Sequence, residues 1–136
     1  MNPVFRRSQI LEDLSACAVG DVLCLRAFAE GLLGEQDPES PLRRDARLIL
    51  IAACLHLQAS VAVAPSLSGL AELLTNIVGG LAPPAAWGSS PVLFLQYAAA
   101  ELAALAPDAV AGALAMSLRA CEQHRKTILI RNNEGN

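Results

Sequence analysis

The stretch SPLRRDARLILIAACLHLQASVA, residues 40–62, decides the fold. Ser40 is a favoured N-cap residue, and Pro41 suits the first helical position, where its missing N–H would have no partner anyway. No further Pro or Gly interrupts the chain until Ala64-Pro65, so the spacing predicts one helix from Pro41 to about Ala62. Its first turns, Leu42 to Arg47, are amphipathic and charged. From Leu48 onward it is apolar nearly all round, which demands burial on most faces. The run from Leu48 to Ala64 holds His56, Gln58 and Ser60. A membrane span needs about 20 apolar residues, and this run is shorter and more polar. A central helix wrapped by other helices is the reading that satisfies it.

Working outward, Pro and Gly mark the neighbouring elements. Asn2 to Arg7 is an extended lead-in, and a short helix is expected over Gln9 to Cys17. Asp21 caps a helix over Val22 to Leu33, with Val22, Leu25, Ala29, Leu32 and Leu33 on a helical period and Gly34 as its stop. Ser66 caps Leu67 to Val78, and Gly79-Gly80 and Pro83-Pro84 then open a loop holding Trp87. Ser90-Pro91 repeats the start signal for a helix to about Leu105, and Pro107-Asp108 begins the last one, Ala109 to about Ile128. Thr127 to Ile130 is ambiguous between helix and strand, and Asn132 to Asn136 reads as a flexible polar tail. The expected fold is all-α: one compact bundle of about four longer helices, with the short N-terminal helix ahead of them.

Composition agrees. With 136 residues the chain is one domain, since two cores do not fit this length. Apolar residues make up 54% but aromatics only 4%, so the apolar content is Ala and Leu, which suits helices packed closely through small side chains. Charged residues are 17%, against about 25% in ordinary soluble domains, which leaves apolar surface for a partner. The net charge of −3 disfavours non-specific nucleic-acid binding, which rests on cations neutralising phosphate. Met1 to Gln9 lacks a signal-peptide pattern.

No phosphate-binding loop, zinc-protease helix, nucleophile elbow or calcium loop occurs, so a non-catalytic chain without cofactor or metal is expected. Cys17, Cys24, Cys54 and Cys121 have neither zinc nor redox spacing and lie among apolar residues, which reads as four buried, reduced thiols in a cytosolic protein. His56, in the apolar helix, reads as a hydrogen-bonded core histidine. His124, beside Glu122, Arg125 and Lys126, reads as part of a solvated helix end.

Charge placement nominates the binding residues. Asp21, Glu30, Glu35, Asp37 and Glu39 fall together against a single base, Arg26. They are either a solvated face or an acidic rim that steers a basic peptide into an apolar groove between helices. Arg43 and Arg47 share a helix face with Arg44 beside them, while Asp45 has no partner along the helix at these spacings. The three arginines either bridge to the Glu35–Glu39 loop or contact nucleic-acid phosphate. Arg119, Arg125, Lys126 and Arg131 sit where cations complement a helix C-terminus. Trp87 is either a binding anchor or the plug of the bundle.

The order of motifs resembles a known family. The Asn2-Pro3 lead-in precedes a helix ending Phe28-Ala29-Glu30-Gly31-Leu32-Leu33; an acidic Pro-containing loop follows, then Arg44-Asp45-Ala46-Arg47-Leu48-Ile49-Leu50-Ile51-Ala52-Ala53-Cys54-Leu55-His56-Leu57. Ala64-Pro65-Ser66-Leu67-Ser68-Gly69-Leu70-Ala71-Glu72-Leu73-Leu74-Thr75 completes the series. This is similar to the all-alpha domain of TraG/TraD-type coupling proteins of conjugation and type IV secretion, over roughly residues 2 to 120. The chain departs from that pattern in having Pro41-Leu42-Arg43-Arg44-Asp45 where an aromatic and acidic stretch is usual, and in lacking the ATPase motifs. The resemblance implies a substrate-recognition domain excised from a longer coupling ATPase, at the cytoplasmic face of a bacterial inner membrane without inserting into it. Its partners would be effector or relaxase secretion signals, the rest of the ATPase, and, as the alternative, single-stranded DNA. An unrelated helical regulatory or dimerisation module is the remaining alternative.

Overall fold

A computed structural model of the chain describes residues 17–34, 40–59, 66–80 and 85–134. These form α1 (Val22–Leu33), α2 (Pro41–Ala59), α3 (Leu67–Gly80), the single turn α4 (Ala85–Gly88), α5 (Leu93–Ala103) and α6 (Pro107–Glu134). The fold is the expected all-α bundle, with five longer helices among the described residues. Most of the short helix placed over Gln9 to Cys17 lies outside the described residues, and Cys17 itself is a bend.

Local chemistry sets the starts. Asp21 accepts from the Cys24 N–H at 3.1 Å. Ser40 Oγ accepts from the Arg43 N–H at 3.1 Å, and Ser66 Oγ from the Gly69 N–H at 3.0 Å. Each satisfies a donor that the first helical turn leaves open. Gly34 ends α1 at φ 73°, a left-handed conformation that costs a glycine little, and its N–H closes on Glu30 O. The second Ser-Pro signal acts two residues later than expected. Ser90 Oγ accepts from the Val92 N–H at 3.1 Å, and Val92 is still extended, so α5 begins at Leu93. The last helix runs past Ile128 to Glu134, taking up Thr127 to Ile130 and part of the expected tail.

α2 is the central element, as its apolar circumference requires. Every residue from Ile49 to Leu55 is buried, with α1, α3, α5 and α6 packed around the helix. α6 is its closest neighbour. Ala46, Ala53, Ala113 and Ala120 are all buried small residues on these two helices, which lets their axes approach. Ser117, fully buried between them, has two carbonyls within reach of its single hydroxyl proton, Ala113 O (2.9 Å) and Ala46 O (3.2 Å), so its hydroxyl is satisfied in the core. Leu25, Leu70, Leu74 and Leu114 complete this interior; burying each contributes about 1.5–3 kcal/mol.

Two of the four cysteines depart from the reduced state expected of them: Cys17 and Cys24 form a disulfide. They lie seven positions apart, but the turn at Val19-Gly20 folds residue 17 back beside the first turn of α1, which brings the sulfurs together. Gln58 fastens the same turn from α2, donating to Cys17 O (3.2 Å) and Ala18 O (3.3 Å) and accepting from the Gly20 N–H (3.1 Å). Cys54 and Cys121 remain buried thiols, as expected. No helix among the described residues is long and apolar enough to cross a membrane.

Candidate functional site

Beside the disulfide, α1, α2 and α5 diverge and leave an open groove of about 320 Å³. This is at the small end of ligand-binding cavities. Its floor is Leu48 and Ile51 of α2, Phe94 of α5 and Leu105 just beyond it. Leu23 and Tyr97 stand on opposite walls, 78% and 53% exposed, and Leu93, one turn before Tyr97, is 77% exposed. Single exposed apolar side chains are ordinary, but here two of them, Leu23 and Tyr97, line one concavity with an apolar floor.

The rim carries Arg26 from α1 and Arg44 and Arg47 from α2, against the carboxylates of Asp45 and Glu101. Arg44 Nε lies 4.0 Å from Asp45 Oδ1, so the adjacent acid does reach a base, contrary to the helical-spacing expectation. The Arg44 side chain is nonetheless 71% exposed. Phe94 and Tyr97 meet edge to face, with ring centroids 5.7 Å apart.

The nominated residues separate into different roles. Asp21 is exposed and serves as the N-cap of α1. Glu30 faces inward along the helix pair: its Oε2 accepts from Arg43 Nη2 at 3.4 Å and its Oε1 from Arg47 Nη1 at 3.2 Å. Burial pushes the Glu30 carboxyl up, but the hydrogen bond from Arg47 and then the charge of Arg43 outweigh it, and hold it below its ordinary value. Glu35, Asp37 and Glu39 lie outside the described residues. Arg43 and Arg47 therefore bridge to Glu30 in α1. Arg43 is 3% exposed and presents no surface to phosphate; Arg44 is the exposed member of the three.

Trp87 is the plug. It is 1% exposed, and its indole N–H donates to His56 Nδ1 at 3.2 Å, which fixes the His56 proton on Nε2. This is the hydrogen bond anticipated for a core histidine. It also commits both residues to the joint between α2 and α4, away from the groove. His124, expected at a solvated end, instead donates from Nε2 to Leu32 O at 2.9 Å and ties α6 to the last turn of α1.

The groove residues Leu23, Leu48, Phe94 and Tyr97 were not singled out from sequence. A signal was present in Leu93-Phe94-Leu95: three consecutive apolar residues cannot face one side of a helix, and only Leu95 is fully inside. No family model, curated protein or solved structure matches this chain.

Proposed function

We propose that the chain is a non-catalytic docking module whose α1–α2–α5 groove takes up a segment of a partner protein. The observation that supports it is the grouping of Leu23, Tyr97 and the apolar floor under a rim of exposed charge, on a fold whose histidines are tied to its own packing. The resemblance to coupling proteins supplies the biological form of the reading. In that form the partner is an effector or relaxase secretion signal, the module belongs to a coupling ATPase, and it works at the cytoplasmic face of a bacterial type IV secretion system. The Cys17–Cys24 disulfide counts against the cytoplasmic placement, because disulfides persist in oxidising compartments.

Titrating the labelled chain by NMR with the C-terminal segment of a candidate cargo tests the reading. Shifts gathered at Val22, Leu23, Leu48 and Tyr97 support it. Shifts elsewhere, or none, remove the groove from consideration. A second reading, single-stranded DNA binding, is favoured by one observation: Tyr97 stands beside Arg26, Arg44 and Arg47, an aromatic face among cations. The same titration with an oligonucleotide would then move Tyr97 and the arginines together.

A further inference from the structure

We infer that the occupant of this groove is an amphipathic helical peptide segment bearing carboxylates beside its apolar residues. The inference rests on the docking reading above and adds the chemistry of the partner. It also reverses the basic peptide expected from sequence.

Charge decides the sign. Three arginines and two carboxylates line the groove, although the chain as a whole carries a net charge of −3. Arg47 is already bonded to Glu30, and Asp45 lies against Arg44. Of the exposed charges left at the rim, Arg26 and Arg44 stand against Glu101, which like Arg26 makes no ion pair among the described residues, so cations outnumber carboxylates two to one. These two guanidiniums project from different helices, α1 and α2, on the rim of one apolar floor. A carboxylate carried by the occupant meets a planar fork of donors at either, a stronger contact than neutral hydrogen bonds provide. An occupant rich in Lys or Arg brings like charge to the same rim, which is selected against.

Shape and lining decide the class. The floor is mainly aliphatic, Leu48, Ile51 and Leu105, which matches Leu, Ile or Val anchors at helical spacing laid between helices. A nucleic acid needs successive ring faces for its bases. Here Phe94 is half-buried and packed edge to face with Tyr97, the one well-exposed ring of the groove.

The test uses the full chain and three fluorescent probes. One is an amphipathic helical peptide with Leu at i, i+3, i+4 and i+7 flanked by Glu, the second the same peptide with every Glu replaced by Lys, and the third oligo-dT. The Glu peptide should bind at least about tenfold tighter than the Lys peptide, with the gap narrowing in high salt. In the double variant R26E/R44E the order should reverse; the milder R26Q/R44Q should remove the preference without reversing it, and covers the case in which the charge swap perturbs folding. Equal or tighter binding of the Lys peptide would overturn the inference while leaving the docking reading standing. Binding of oligo-dT alone would overturn both and favour the second reading. Binding of none of the three would overturn the inference, and the cargo titration would then judge the docking reading separately.

Discussion

The Arg43 guanidinium, its side chain only 4% exposed, meets the Glu30 carboxylate at 3.4 Å, and this contact joins the start of α2 to the end of α1. Arg47 completes the pair one turn later at 3.2 Å. The Glu30 carboxyl titrates below its ordinary value, so its stabilisation is complete above the usual carboxylate range, about 4.3, and is lost as pH falls through the lowered value. Glu30→Gln should flatten that acid limb of the stability curve. At neutral pH it should cost about 1–2 kcal/mol in urea unfolding, a figure reduced by solvent screening because Glu30 is 40% exposed. An unchanged acid limb would mean that the pair contributes nothing.

The disulfide makes a countable prediction. Alkylating the denatured, unreduced chain should add two labels, at Cys54 and Cys121, and four after reduction. Cys24→Ser should lower stability by about 2 kcal/mol, the chain-entropy value for so short a loop. Four labels without reductant, in protein taken directly from a reducing compartment, would show the bond absent there and favour the cytoplasmic placement.

Cys54 is fully buried, and desolvation, followed by the proximity of Cys121, raises its thiol well above the ordinary range. Only the neutral thiol is accommodated, so its contribution is complete below the ordinary thiol value, about 8.5, and is lost as pH climbs toward the raised one. The folded protein at pH 8 should resist thiol reagents at Cys54 for as long as it stays folded, and react once denatured. Fast native labelling of Cys54 would contradict its burial.

Trp87 should emit as a buried indole and resist iodide quenching until the chain unfolds. His56→Leu removes the acceptor and leaves the indole N–H unpaired, at a cost of about 1–3 kcal/mol. Since neither residue lines the groove, a peptide bound there should leave Trp87 emission unchanged. A large emission change on binding would place the site elsewhere.

Gly112 lies inside α6, and a Cβ there would come 3.3 Å from Leu42 Cδ1. Leu42 is 39% exposed, so its methyl can turn toward solvent. The helical gain should therefore prevail: Gly112→Ala is expected to stabilise by about 0.5–1 kcal/mol, read as a rise in melting temperature. A fall would show that Leu42 is held in place.

Much of this fold was legible in residues 40–62, because a helix apolar on all sides has no stable environment except the middle of a bundle. The caps at Asp21, Ser40 and Ser66 were legible too, since each is a local bond within one turn. The start of α5 slipped by two residues because Ser90 spent its hydroxyl on Val92, a choice that sequence spacing does not reveal.

The candidate site was mostly not legible. Sequence placed acids and arginines near one another but had no means of saying which would meet. Tertiary packing turned Glu30 onto Arg43 and Arg47, buried Trp87 against His56, and brought Cys17 round to Cys24. It also left Leu23 and Tyr97, 74 positions apart in the chain, on the walls of one groove. The sequence by itself determined what depends on neighbours within a turn or on the sum of apolar residues along a helix: the class of fold, the caps and the buried face of α2. Only the tertiary structure decided which side chains share a surface, because that depends on how the helices cross, and a crossing is set by contacts between residues the chain holds far apart.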